Sequence, residues 1–129
     1  MAKAINWPFK YYEEITMESV NSPKIALRPG CLYYDNNYYR DGDKVDIRVQ
    51  HRVVRPAVIQ GKMKLKRIKD LTQEEIKACK SDLNNIPAII LFLNENYELS
   101  LDENSEVTVI TYRNLMIINS ENIDDITVC

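Results

Sequence analysis

The sequence predicts a small α+β domain, in which a mostly antiparallel β-barrel is flanked by two or three helices. Segments that alternate apolar and polar residues recur along the chain, as half-buried strands do. One later segment carries the capping pattern of a helix N-terminus. At 129 residues the chain has the length of a single domain around one core.

The first third of the chain predicts a strand, a helix and a second strand. Residues 4–9 form a short strand limited by Pro8, because proline donates no ladder hydrogen bond. Residues 11–20 follow helical spacing, and the helix ends before Pro23. Residues 25–28 form the next strand, which turns at a Pro-Gly pair and leads into a tyrosine-rich loop.

The middle of the chain predicts two half-buried strands. Lys44–Val49 places valine and isoleucine on one face and charged residues on the other. Residues 57–68 repeat this alternation over a greater length, and the phase breaks near Arg67 as at a β-bulge.

The second half of the chain predicts two helices. Thr72 and Glu75 form a capping box, and the helix that they start would run to about Leu83. Residues 86–97 are apolar enough for a buried helix or a strand, and Pro87 near the start favours the helix.

A closing strand and a tail complete the predicted domain. Residues 106–112 alternate as a strand, and residues 115–118 and 123–128 add a strand or pack loosely. We therefore expect one domain over residues 1–129, in which residues 114–129 form a C-terminal extension.

Basic residues are concentrated in the middle of the chain. The basic stretch, residues 40–69, holds ten lysines and arginines and three aspartates, a net charge of +7, whereas the whole chain carries −2. Such a stretch in an otherwise acidic protein favours a phosphate-bearing partner. A charged sheet face exposed to solvent would have the same composition.

Composition also limits the chemistry. The three glycines form no phosphate-binding loop, and the single histidine, His51, has no cysteine at metal-ligand spacing, so we expect no cofactor and no metal. No apolar run approaches the roughly 20 residues of a membrane span. Three scattered cysteines and the lack of a signal peptide indicate a cytoplasmic protein without a membrane partner.

The order of several segments is informative in itself. Residues 4–7 (AINW), 21–30 (NSPKIALRPG) and 39–45 (YRDGDKV) precede the long strand, the helix start at Thr72 and the closing strand. In this order, residues 4–113 resemble the ASCH domain family. The resemblance implies a PUA-like pseudo-barrel, a superfamily whose members commonly bind RNA. Some ASCH members hydrolyse acylated cytidine nucleosides, and others act as nucleases.

The family signature, G-x-K-x-x-T-x-R, is degenerate in this chain. Aligning on Arg28 places Asn21 at the glycine, Pro23 at the lysine and Ala26 at the threonine. Proline offers no proton and alanine no hydroxyl for hydrolysis. We therefore expect binding without catalysis.

An enzyme that acts on a modified nucleoside or on RNA is the alternative. Lys24 lies one position after the signature lysine and could reach the same cleft. The resemblance implies an acidic partner near the helix after the long strand, where Glu74, Glu75 or Asp82 could serve.

The predicted function is binding of nucleic acid, with RNA preferred, through a basic sheet face and an arginine-containing cleft. Lysines at every second position would stand about 7 Å apart on one face, and an arginine on a neighbouring strand would extend this patch. Tyrosines beside them would stack on bases or fill the core. The expected binding residues are Arg28, Arg48, Lys62, Lys64, Lys66, Tyr33 and Tyr34.

Each of these assignments has a competing interpretation. Arg28 would clamp a phosphate or base edge, or form a salt bridge with Glu13 or Glu14. A third function is protein interaction or self-association through the acidic second half or the apolar residues 115–118. A composition rich in isoleucine, asparagine, lysine and tyrosine suits an AT-rich genome, such as that of a virus or mobile element.

Overall fold

Six strands of one mixed sheet organise residues 3–116, the part of the chain that the computed structural model describes. The strands are β1 (Lys3–Trp7), β2 (Pro23–Pro29), β3 (Lys44–Val49), β4 (Arg52–Ile59), β5 (Lys64–Arg67) and β6 (Glu106–Asn114). The helices are α1 (Tyr12–Met17), α2 (Leu32–Asp35), α3 (Gln73–Lys77) and α4 (Ile86–Tyr97). Short 3₁₀ turns lie at Phe9–Tyr11 and Ile68–Asp70. The predicted α+β class is confirmed.

The sheet has the strand order β1-β3-β4-β6-β2, and β5 pairs with β6. The β1–β3 pair is parallel, and the other four pairs are antiparallel. Among the described strands no ladder joins β1 to β2, so the sheet is open where the sequence predicted a closed barrel. The side chain of Arg28 crosses from β2, and its Nη2 donates to the carbonyl oxygen of Asn6 on β1 at 3.2 Å.

Apolar side chains on one face of the sheet form much of the core. Paired residues of neighbouring strands share a face, and the register places Ile5 beside Ile47 and Val45 beside Ala57. All four are buried, as is Ile59 at the end of β4. The alternation predicted for Lys44–Val49 is confirmed.

The predicted strand over residues 57–68 is two strands. Gly61, between β4 and β5, has a φ of +73°, a left-handed conformation that bends the chain. Both strands pair with the same edge of β6, β4 with residues 112–114 and β5 with residues 106–109. After Arg67 the chain enters a 3₁₀ turn, and the predicted bulge is absent there.

The helices agree with the sequence at their starts and differ at two of their ends. Thr72 and Glu75 form the predicted capping box, but α3 ends at Lys77. The carbonyl oxygen of Ala78 accepts a hydrogen bond from the Ile25 amide of β2 at 2.9 Å, which ties the chain to the sheet. Helix α1 likewise ends at Met17, before the predicted residue 20.

The remaining helices and the last strand define the C-terminal side. Helix α4 covers residues 86–97 as predicted, and the Asn85 side chain caps it by accepting from the Ala88 amide. Helix α2 lies inside the segment predicted as a tyrosine-rich loop. Strand β6 extends to Asn114, beyond the predicted residue 112. The tail segments predicted from residue 117 onward lie outside the described residues.

Candidate functional site

Arg28 is buried at the end of a strand. It lies on β2 opposite Thr108 of β6, and 7% of its surface is exposed. Its Nη1 donates to the Leu27 carbonyl oxygen at 3.0 Å, and its Nη2 donates to that of Asn6. Within residues 3–116 no carboxylate forms a salt bridge with Arg28, so the alternative partners in α1 are not used.

The guanidinium of Arg28 opens into a small cleft with aromatic walls. The cavity volume is about 230 Å³. Residues from the end of β1 and from the last turns of α4 form its walls, and they are Asn6, Trp7, Pro8, Phe92, Asn96 and Tyr97. We call this cavity the Arg28 cleft.

Two features determine the polarity of the Arg28 cleft. Arginine carries five N–H donors, and the hydrogen bonds to Leu27 and Asn6 use two of them. Asn96 donates its side-chain amide to the Phe92 carbonyl oxygen at 2.8 Å, which leaves its side-chain oxygen as an acceptor. The cleft therefore offers several donors, the side-chain oxygen of Asn96 as an acceptor, and apolar aromatic walls.

A tyrosine cluster lies on another side of Arg28. Burial raises the pKa of Tyr39 to about 12, and the nearby Arg28 cation acts in the opposite direction. The Tyr39 hydroxyl donates to the Ala4 carbonyl oxygen at 2.6 Å. Tyr33 is half-buried, with its ring centroid 5.7 Å from that of Tyr39. The structure thus gives Tyr33 a packing position.

Tyr34 and Lys62 come together at the surface. Tyr34 is 44% exposed, and with Asn37, Lys62 and Met63 it lines a cavity of about 290 Å³. The sequence predicted both as binding residues, and in the structure they line the same cavity. Helix α2 carries Tyr33 towards the cluster at Arg28 and Tyr34 towards Lys62.

The predicted lysine row is interrupted. Lys64 is exposed on β5, and Lys62 is exposed just before this strand. Lys66 instead donates to the Glu75 carboxylate at 2.8 Å. Arg48 pairs with Asp46 at 3.6 Å. Moreover, β3 is separated from β5 by β4 and β6, so Arg48 does not extend the lysine row from a neighbouring strand.

None of the four alternative catalytic residues lines the Arg28 cleft. Lys24 is half-buried on β2, and Glu74 is exposed on α3. Asp82 accepts a hydrogen bond from the Tyr11 hydroxyl at 2.8 Å and pairs with Lys10.

Glu75, the fourth of them, stabilises the start of α3. Its side chain accepts from the Thr72 amide at 2.9 Å and from Lys66. Burial acts to raise the pKa of Glu75, but the Lys66 ammonium and the cap hydrogen bonds outweigh it and hold this pKa below its ordinary value.

Sequence reasoning missed a buried ion pair behind the Arg28 cleft. Lys80 donates to Glu18 at 2.8 Å, and these two side chains are 1% and 4% exposed. Burial lowers the pKa of Lys80, and the Glu18 carboxylate opposes that shift. The pair joins the segment after α3 to the end of α1, and no local pattern in either segment indicates it.

A further cavity, of about 560 Å³, lies between α1 and the β3–β4 hairpin. Phe9, Tyr12 and Val53 line it and are substantially exposed. It contains none of the residues that the sequence predicted to bind or to catalyse.

Comparisons with known proteins give no relative for this chain: no family model, no curated protein and no solved structure matches it. No helix within residues 3–116 is both long and apolar enough to span a membrane. The same residues contain no group of three or more histidine, cysteine or acidic side chains arranged to hold a metal ion.

Proposed function

We propose that this protein binds single-stranded nucleic acid, and RNA by preference, without catalysing a reaction. One base would enter the Arg28 cleft, and Lys62 and Lys64 would contact phosphates. The observation that carries this proposal is a buried guanidinium that lacks a carboxylate partner among the described residues and opens into an aromatic cleft.

The burial of Arg28 favours a ligand rich in acceptors. A buried charge is costly unless hydrogen bonds or an opposite charge compensate it. Two carbonyl oxygens compensate Arg28 in part. The remaining donors form a planar fork that fits the acceptor edge of a base or a phosphate group.

The walls of the Arg28 cleft favour a flat ligand. Proteins hold unstacked bases of single-stranded nucleic acid between aromatic rings, while hydrogen bonds engage the base edges. Trp7, Phe92 and Tyr97 supply rings here, and Asn96 supplies an amide acceptor. A volume of about 230 Å³ lies below the range of about 300–1,000 Å³ typical of drug-sized sites, which suits a single base.

A path along the surface supports a strand longer than one nucleotide. Tyr33 packs against Tyr39 near Arg28, and its neighbour Tyr34 borders Lys62. A base stacked on Tyr34 would place its phosphate within reach of Lys62 and Lys64. Because Lys66 and Arg48 are paired within the protein, they are omitted from this interface.

The resemblance to ASCH domains supports the same proposal. We infer a PUA-like fold in which the Arg28 side chain connects the unpaired ends of the sheet, β1 and β2. Pro23 and Ala26 at the signature positions favour binding without hydrolysis. Cys31 and Cys79 form no disulfide within residues 3–116, which is in keeping with the cytoplasm.

The first prediction concerns Arg28. Arg28→Lys keeps the charge and loses the planar fork, so we expect affinity for single-stranded RNA to fall about tenfold or more. We would measure the affinities of both proteins by fluorescence anisotropy with labelled single-stranded RNA, duplex RNA and single-stranded DNA. No binding of the unmodified protein to any of these would overturn the proposed function.

The second prediction concerns the lysines. Each phosphate contact on a single strand contributes about −0.7 to the slope of log affinity against log salt. Replacing Lys62 and Lys64 by alanine should therefore make this slope shallower by about 1.4. The matched control is Lys69→Ala with Lys77→Ala, which removes the same charge from exposed positions outside the proposed interface. An equal loss in both variants would show that only net charge matters.

A further inference from the structure

Trp7, which forms a wall of the Arg28 cleft, is held by a buried cation. The Nζ of Lys80 lies 4.0 Å from the centroid of the Trp7 ring, a cation–π distance. Tyr11 meets the same ring edge-on at 5.6 Å, and the ring of Phe92 lies 6.2 Å away. The indole is therefore bordered by an ammonium and two aromatic rings.

The ammonium of Lys80 is fixed in turn by a network around Glu18. One carboxylate oxygen of Glu18 accepts from Lys80 at 2.8 Å, and the other accepts from the Asn114 amide at 3.0 Å. Arg55 donates to the Glu18 carbonyl oxygen at 2.9 Å. Side chain and backbone of Glu18 are thus both held, and Lys80 has little freedom to leave the Trp7 ring.

Stability alone does not explain this arrangement. A buried ion pair is on average no more stabilising than apolar side chains of the same size, because both charges lose their hydration. A cation held against an aromatic face, in contrast, fixes the position of that ring. Trp7 lines the Arg28 cleft, and 5% of its surface is exposed.

We propose that Lys80 is a positioning residue, which with Glu18 holds the Trp7 ring in place as the stacking wall of the Arg28 cleft. This inference rests on the proposed function and adds to it a residue that touches no ligand. Lys80 borders Trp7 and does not line the cleft, so we expect its effect on binding to pass through Trp7.

Trp7 is the only tryptophan of the chain, so its fluorescence reports this arrangement directly. The test variant is Glu18→Gln with Lys80→Met, which removes both charges of the ion pair together, so that neither is left buried without the other. We expect a shifted emission maximum, greater quenching by acrylamide, and an RNA affinity reduced about tenfold. The single variant Lys80→Arg keeps Glu18 and a cation at this position. It should therefore retain most of the unmodified emission, quenching and RNA affinity. Lys77→Met, at an exposed lysine of α3, should change neither.

The outcomes separate this inference from the proposed function. Unchanged emission and quenching in a folded double variant would overturn the positioning role, whatever the protein binds. Changed emission with RNA affinity within about twofold of the unmodified protein would also overturn it. If the unmodified protein binds no nucleic acid, the proposed function fails, while the emission measurement still decides whether Lys80 fixes Trp7.

Discussion

Single charged residues in this protein often serve the fold. Arg55 belongs to the basic stretch, yet it is 2% exposed and donates to the carbonyl oxygens of Ile15, Glu18 and Leu115. It thereby holds the end of α1 against the sheet. Lys66 and Lys80 are likewise engaged by carboxylates.

Replacing Glu75 should reveal one of these structural roles. Glu75→Gln removes the charge that pairs with Lys66, and we expect a loss of about 1–3 kcal/mol in the free energy of unfolding at neutral pH. Because the folded-state pKa of Glu75 is lowered, its stabilisation is present above the unfolded pKa and is lost as pH falls through the folded one. Urea unfolding at several pH values should therefore show the two proteins converging in acid.

The neighbouring residue provides the control for that experiment. Glu74 is exposed, and Glu74→Gln should stay within about 0.5 kcal/mol of the unmodified protein. Equal effects at the two positions would contradict a specific role for Glu75.

Sequence reasoning singled out Arg28 but could not separate exposed lysines from paired ones. Arg28 stood out because, of the family signature residues, it alone keeps its place in this chain. Lys62 and Lys66 look alike in the sequence, whereas folding brings Glu75 to Lys66 and leaves Lys62 exposed. Trp7 and Lys80 were missed for the same reason, since their contact joins residues 73 positions apart.

The turn of the β3–β4 hairpin has an unfavourable local sequence. Its two-residue turn, Gln50 and His51, has positive φ at both positions, 50° and 66°. Such a turn favours Asn-Gly, because side chains with a Cβ are strained in this conformation. The turn therefore does not favour the hairpin, and burial of the inner faces of β3 and β4 stabilises the strand pair instead.

Relieving this strain should stabilise the protein. We expect His51→Gly to raise the free energy of unfolding by up to about 1 kcal/mol, as measured by thermal denaturation. His51→Ala keeps the Cβ and should give no such gain. A higher melting temperature for the alanine variant than for the glycine variant would contradict this explanation.

The strand bounds were predicted correctly where apolar and polar residues alternate without a bend in the chain. They were predicted wrongly where the chain bends within such an alternation. Lys44–Val49 was predicted in full because its inner face is uniformly apolar. Residues 57–68 keep the same alternation through Gly61, so their periodicity does not indicate where one strand ends and the next begins. The bend arises because β4 and β5 share one edge of β6, a tertiary constraint.

For the whole molecule, folding redistributes the charge that the sequence shows. Glu75 of the acidic second half forms a salt bridge with Lys66 of the basic stretch. Lys80 of the second half forms one with Glu18 at the end of α1. Most of the basic stretch nevertheless stays exposed, and its exposed residues are Arg40, Lys44, Arg52, Lys62, Lys64, Arg67 and Lys69. The electrostatic attraction proposed for nucleic acid therefore survives, with fewer residues than composition implied.

Buried tyrosines make the fold sensitive to alkali. Burial raises the pKa values of Tyr11, Tyr39 and Tyr112 above the ordinary value of 10.0. Above that value the unfolded chain releases protons that the folded chain retains, so stability should fall as pH rises beyond about 10. Urea denaturation at rising pH measures this loss.

Tyr112→Phe provides the matching test. Among the described residues the Tyr112 hydroxyl lies near the Trp7 indole but does not meet the geometry of a hydrogen bond, so its removal should change stability little at neutral pH. The alkaline loss should become smaller, since one titrating group is gone. If the free energy of unfolding fell equally steeply with pH in both proteins, Tyr112 would not contribute to the alkaline loss of stability.

The central place of β6 has a consequence for biosynthesis. Three of the five strand pairings, those of β2, β4 and β5, require this strand, which is the last one described in the chain. On the ribosome, the hairpin of β3 and β4 and its partner β1 can assemble first, while β2 waits for a strand some eighty residues later. The nascent chain therefore exposes unpaired strand edges until residues 106–114 emerge, and that interval is when chaperones would protect it from aggregation.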